Sequence, residues 1–127
     1  MSRFSTVIAA VAAASLLGLA SVSMAQGPWQ APAAEKAKKS PGGNAANGKK
    51  LADTNCVSCH GSGKGDGPAA AALNPKPADW TSAKVQSESD GELFWKISTG
   101  RGPMPPWKHL SDKDRWDLVS HIRTLKK

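Results

Sequence analysis

The sequence predicts an all-α fold. Three segments repeat apolar residues at helical spacing, and no segment alternates apolar with polar residues as a half-buried strand does. The stretches between them are long and punctuated by glycine and proline. The first helix is expected over Asn44 to Asn55, with Asn44 as its cap and Ala45, Gly48, Leu51 and Ala52 near one face. An interior glycine costs about 1 kcal/mol relative to alanine, so Gly48 implies close approach by another helix. The second, Gly91 to Ser98, follows a capping Asp90, gathers Leu93, Phe94 and Ile97, and stops at Gly100. The third opens at Ser111 with early carboxylates at Asp112 and Asp114, which suit the positive helix end. Its apolar half carries Trp116, Leu118, Val119, Ile122 and Leu125. Asp117, Ser120, His121 and Thr124 fall on the other half, and for His121 a solvated or capping role is expected. Trp116 is expected to pack near Gly48 and lock the first and last helices across each other.

The two cysteines of the chain are Cys56 and Cys59, and His60 follows at once. Cys-x-x-Cys-His is the attachment pattern for a covalently bound haem. Each thiol can add across one vinyl group of a porphyrin, and the adjacent imidazole is then placed under the iron. Three other uses of the motif are open to it. A structural zinc site needs four ligands, and no second Cys-x-x-Cys or His-x-x-x-His completes one. A thioredoxin-like dithiol needs strand–helix alternation around it. A plain Cys56–Cys59 disulfide leaves His60 without a role.

Residues 1–25 have the form of a secretory signal: Arg3, an apolar run from Val7 to Ala20, and small residues in Ser23-Met24-Ala25. The competing reading is an uncleaved anchor, for which Phe4 to Val22 is barely long enough. Export suits the motif, because in bacteria c-type haem is attached on the outer side of the cytoplasmic membrane. The expected location is therefore the periplasm, without a stable membrane anchor. Cleavage would leave 102 of the 127 residues. Residues 26–43, with Pro28, Pro32, Pro41 and several alanines and lysines, are expected to form a flexible linker. The folded domain is expected over 44–127, small enough that a buried macrocycle would supply much of its core. Loss of Arg3 takes the formal charge from +7 to +6. Such a field favours redox partners with acidic docking surfaces. Nucleic acid is not expected as a partner, and a monomer is expected.

A second iron ligand decides whether such a haem binds small molecules or is closed for electron transfer. Beyond the leader, Met104 is the only methionine, in Arg101-Gly-Pro-Met-Pro-Pro-Trp107. The prolines stiffen that loop around one thioether. His109 and His121 are the weaker candidates. His60 is expected to donate its other ring N–H to a backbone carbonyl, with Pro68 and Pro77 as candidates to supply or position it. Trp80, Trp95, Trp107 and Trp116 are candidates to line the pocket, and Trp80 or Arg101 to hold a haem propionate; plain core packing is the alternative for the tryptophans. Gly61-Ser-Gly-Lys-Gly-Asp-Gly67 is not a phosphate loop, since Gly65 stands where Ser or Thr is needed. No nucleophile or acid–base constellation points to an enzyme.

These residues resemble a monohaem class I cytochrome c. The likeness runs from Asn47-Gly-Lys-Lys-Leu51 through Cys56-Val-Ser-Cys-His-Gly61 to Met104-Pro-Pro-Trp107 and Asp114-Arg-Trp-Asp-Leu-Val-Ser-His-Ile-Arg-Thr-Leu125. Gly65-Asp-Gly-Pro68 and Asn74-Pro-Lys-Pro-Ala-Asp-Trp80 look like its bacterial periplasmic branch. The resemblance implies three to four helices and long loops around one haem c between crossed terminal helices. Cys56 and Cys59 would hold the haem, and His60 and Met104 would ligate its iron. It implies a one-electron carrier. The alternatives are a cytochrome subunit of a periplasmic dehydrogenase, or a gas-binding sensor if Met104 is not on the iron. His121 departs from the pattern, where many relatives carry an aromatic, usually tyrosine.

Overall fold

The structure is a computed structural model and describes residues 27–127; the segment read as a signal lies outside the described residues. The helices are α1 (Ala33–Lys36), α2 (Ala45–Asn55), α3 (Val57–His60), α4 (Ala83–Gln86), α5 (Asp90–Thr99) and α6 (Asp112–Thr124), with one 3₁₀ turn at Ala70–Ala72. Among the described residues there is no strand, only an isolated antiparallel bridge between Arg101 and Met104. The three long helices are those the periodicity predicts. The single-turn helices α1, α3 and α4 are too short to leave a periodic signal.

Local chemistry sets the helix starts. The Asn44 side chain accepts from the Asn47 amide at 3.1 Å, and the Ser111 hydroxyl accepts from that of Asp114 at 3.0 Å, as expected. At α5 the cap is Ser89 rather than Asp90: its hydroxyl accepts from the Glu92 amide at 3.1 Å. Asp90 is the first helical residue and instead takes the guanidinium of Arg123 at 2.7 Å.

The α2–α6 crossing is the largest helix–helix contact. Gly48 makes it possible, but not by receiving Trp116. A Cβ at position 48 would run into the backbone of Asp117 and the side chain of His121, so α6 lies directly on α2 there. Trp116 points the other way and stacks on Phe94 of α5, with ring centroids 4.2 Å apart and planes 19° apart. Around Asp117 and His121 the polar half of α6 is therefore covered by α2, and His121 is not solvated. Asp117 is 1% exposed and His121 is buried. Asp117 accepts from the Asn44 amide at 2.7 Å, from Asn47 Nδ2 at 2.8 Å and from Lys113 Nζ at 2.7 Å. Burial works against its charge, yet these bonds outweigh it and hold the carboxyl below the usual carboxylate range.

The core comprises Ala52, Trp80, Val85, Leu93, Phe94, Ile97, Trp116, Leu118, Val119 and Ile122. Partly buried Leu51, Cys56, Met104, Trp107, Leu110 and Leu125 pack against it. Arg123 also ties α6 to the end of α4 and the connection into α5, donating to the carbonyls of Gln86 at 3.2 Å and Glu88 at 2.5 Å. Within the stretch expected to be a flexible linker, residues 27–39 lie along α5. Ala31 is buried, and its amide points to Glu92 Oε1 at 3.4 Å, while Ser89 Oγ donates to the Lys36 carbonyl at 2.8 Å. Its composition hides these contacts because they are made by backbone groups and by alanine.

Candidate functional site: a Cys-x-x-Cys-His turn and a methionine loop

Cys56 closes α2 and opens α3. Its carbonyl accepts from the amides of Cys59 at 3.2 Å and His60 at 2.8 Å. This single turn puts both thiols on one side of the backbone. They stay unpaired, so no disulfide competes for them. Burial, and then the nearby Cys59, push the Cys56 thiol up to about 11, so it rests protonated. The glycine-rich stretch folds back onto the turn. The Gly63 and Gly65 amides bond the His60 carbonyl, that of Gly67 bonds the Cys59 carbonyl, and that of Ala69 bonds the Ser58 carbonyl, all within 2.8–3.1 Å. Glycine therefore serves here to wrap backbone against backbone.

His60 is buried, and its Nδ1 lies 3.1 Å from the carbonyl oxygen of Ala78. A carbonyl only accepts, so Nδ1 carries the proton and Nε2 keeps its lone pair. The acceptor is thus Ala78, neither Pro68 nor Pro77. Pro77 sits immediately before it and restrains the chain, while its own carbonyl lies over Gly65. Burial, against the Ala78 bond, moves the imidazole below its ordinary value and favours the neutral ring that a metal ligand must be. Trp80 stacks on this ring at 4.5 Å and 22°, and its amide donates to the Gly63 carbonyl at 2.7 Å. Trp80 is therefore a support for His60, a role composition alone does not distinguish from core packing. Its outer edge meets the His121 ring at 6.3 Å and 90°.

Met104 lies in a tight turn pinned at its base. Arg101 N–H donates to the Met104 carbonyl at 2.9 Å, and Met104 N–H to the Arg101 carbonyl at 3.0 Å. The Trp107 amide donates to the Ile97 carbonyl at 3.0 Å, returning the loop to α5. From Arg101 to Leu110 every third residue is partly buried (101, 104, 107 and 110), and those between are exposed. A turn at Gly102-Pro103, with Gly102 at φ +54°, reverses the chain before Met104, and Pro105 and Pro106 lead it out. This path turns the Met104 thioether inward against the core that Cys56 also touches. His109 falls in the exposed register and lies against Trp107 at 5.3 Å. The Arg101 guanidinium donates to the Gly27 carbonyl at 2.8 Å.

The donor set separates the uses of the motif. Among the described residues no three His, Cys, Asp or Glu side chains are grouped to hold a metal, which removes the zinc reading. The absence of a strand beside the turn removes the dithiol reading. Two unpaired thiols on one turn, an imidazole with a fixed Nδ1–H and a thioether turned into the same core suit a haem c.

An all-α domain built around this turn is a c-type cytochrome, an electron-carrier protein. The family model described as cytochrome c oxidase, cbb3-type, subunit III matches residues 43–122, and the chain belongs to that family of haem proteins. Among solved structures it is similar to a chain of the Kuenenia stuttgartiensis reducing HAO-like protein complex Kustc0457/Kustc0458, at 33% identity and a TM-score of 0.58. That match covers 65% of this chain and 44% of the other, so this chain spans less than half its relative's length. It is also similar to the KustC0563 c-type cytochrome, at 28% identity and a TM-score of 0.54, over 63% of this chain and 98% of that one. No curated protein matches the chain. No helix among the described residues is long and apolar enough to cross a membrane.

Proposed function

We propose that the chain is a one-electron carrier of the periplasm, exported by a signal cleaved after Ala25. In this reading Cys56 and Cys59 would hold a single haem c covalently, and His60 and Met104 would ligate its iron, within the cytochrome c domain of residues 44–127. The haem supplies a reversible one-electron couple at its iron. The protein's part is to bind, orient and shield it. Each thiol would add its S–H across a vinyl double bond, the sulfur joining one carbon and the hydrogen the other, with no oxidant consumed. His60 presents Nε2 because Ala78 holds Nδ1–H, and Trp80 fixes the plane of the ring. Met104 would present sulfur, which would favour ferrous iron and raise the potential over a bis-histidine site. The observation that carries the reading is the turn itself: two free thiols and a tautomer-fixed, buried imidazole in five residues.

Acidified acetone tests the attachment. The colour is expected to stay with the precipitated polypeptide, and colour in the solvent sinks the covalent reading. Carbon monoxide added to the ferrous protein tests closure: slow or absent binding is expected, and rapid, tight binding favours a gas sensor. A second reading, a cytochrome subunit of a periplasmic dehydrogenase, draws on the similarity to a chain of a larger complex. Co-purification with a catalytic subunit would favour it over a free carrier. In either case the positive charge suits partners with acidic docking surfaces.

A further inference from the structure

Residues 27–39 precede the family match, which begins at residue 43, yet they run the length of α5 in a fixed, antiparallel register. Lys38 and Glu35 lie over Gly91, where a Cβ would collide with the Glu35 carbonyl and come within 2.8 Å of that of Lys38. Lys36 and Ala31 meet Ser89 and Glu92, with a Lys36–Glu92 ion pair at 3.7 Å. The Trp29 ring receives the Lys96 ammonium at 5.3 Å. The Gly27 carbonyl then takes the Arg101 guanidinium at 2.8 Å. Arg101 is the residue whose backbone N–H and carbonyl both bond Met104. One side chain therefore joins the end of this segment to the base of the methionine turn. Between them lies an open cleft of about 440 Å³ lined in part by Trp29, Trp95, Thr99 and Gly100.

We propose that residues 27–39 form a strap that holds the Met104 loop in its ligating position, with Arg101 as the positioning residue. The proposal rests on the reading of Met104 as an iron ligand. The physical argument is one of populations. An external ligand reaches the sixth position of ferric haem only when the loop swings away, so its apparent affinity scales with the open fraction. The strap bonds the closed loop and would lose that bond on opening. A hydrogen bond from a charged group contributes enough to change such a fraction roughly tenfold. The docked register also makes the strap respond to its far end: displacing it at Gly91 loosens it at Gly27.

The test uses the full-length, haem-loaded protein with imidazole as probe. Arg101→Gln removes the guanidinium, and Gly91→Leu displaces the strap about 15 Å away, the length of a ten-residue helix. Both are expected to tighten imidazole binding to the ferric protein by roughly tenfold. Both should speed hydrogen exchange at the Met104 amide by a similar factor, with the haem still covalently retained. Imidazole affinity and Met104 exchange within about twofold of the parent overturn the proposal, as does a melting change in both variants without either effect. Faster exchange without tighter imidazole binding also overturns it. Met104→Ala then identifies the cause. If that variant too leaves imidazole binding unchanged, ligation by Met104 has failed; if it tightens binding strongly, ligation stands and the strap has failed. Should Gly91→Leu not accumulate, Trp29→Ala loosens the strap from its exposed side with the same two readouts.

Discussion

The two candidate iron ligands sit in regions built on opposite plans. His60 is at the end of a five-residue motif whose backbone is bonded almost entirely to near neighbours, with four amides of the following loop folded back onto it. Its imidazole is buried, bonded to Ala78 and stacked on Trp80. Met104 is half-buried in a proline-rich loop, pinned by one reciprocal pair of backbone bonds and by contacts from distant segments, Ile97 and Gly27. A locally satisfied turn opens only by breaking several bonds together. A loop held at a few points opens at lower cost. The histidine side therefore behaves as a fixed anchor and the methionine side as the adjustable one.

Paired variants sharpen this contrast most. His60→Ala is expected to abolish a stable holoprotein, measured as haem retained after purification. Met104→Ala is expected to keep its haem and lose the weak long-wavelength ferric band that sulfur ligation gives. Its reduction potential should fall by on the order of a few tenths of a volt, within the roughly 0.8 V span that axial ligands command. Equal haem loss in both variants would break the comparison.

The next effect lies under the anchor. Gly48→Val forces a side chain into the backbone of α6 and is expected to destabilise the protein by roughly 3 kcal/mol in denaturant unfolding. Tolerance within about 0.5 kcal/mol would show that the crossing can spread.

Asp117→Asn keeps the shape but weakens the carboxylate's bonds to Asn44, Asn47 and Lys113, at about 1–3 kcal/mol. Because this carboxyl is held below its ordinary value in the fold, the stability it contributes is present above the unfolded pKa near 3.9 and is lost as the pH falls through the folded value. The variant should therefore show a shallower acid limb in a plot of stability against pH.

The smallest effect belongs to His121. Burial, and secondarily Lys49, lower its pKa, with Asp53 opposing. The unfolded chain then binds more protons, and stability declines as the pH drops below about 6.5 until the folded imidazole also titrates. His121→Phe should flatten stability between roughly pH 7 and 5 by up to about 1 kcal/mol. A cavity of about 120 Å³ beside Trp80 and Leu125 leaves room for the larger ring. An unchanged slope would assign the pH dependence elsewhere.

Much of this was legible without coordinates, for identifiable reasons. The Cys-x-x-Cys-His run is contiguous, and the Asn44 and Ser111 caps act over three residues. The faces of α5 and α6 follow from helical geometry. The partner of Trp116 was misplaced because α6 has two covered faces. Periodicity reveals an apolar face, whereas α2 covers the polar one by satisfying Asp117 with backbone and amide donors. Ala78 was illegible as the acceptor because every residue carries a carbonyl, and only the path of the chain after Pro77 selects one.

Sequence alone specified the three long helices, the Cys-x-x-Cys-His turn, the proline-stiffened methionine and hence the kind of chemistry, because each depends on residues within a few positions of one another. Folding in three dimensions chose which faces meet, which carbonyl orients His60, and that residues 27–39 lie along α5 and reach the methionine turn. Those choices depend on contacts 18 to 74 positions apart. At such separations, steric fit and the satisfaction of buried polar groups select the partner, and local composition carries no record of either.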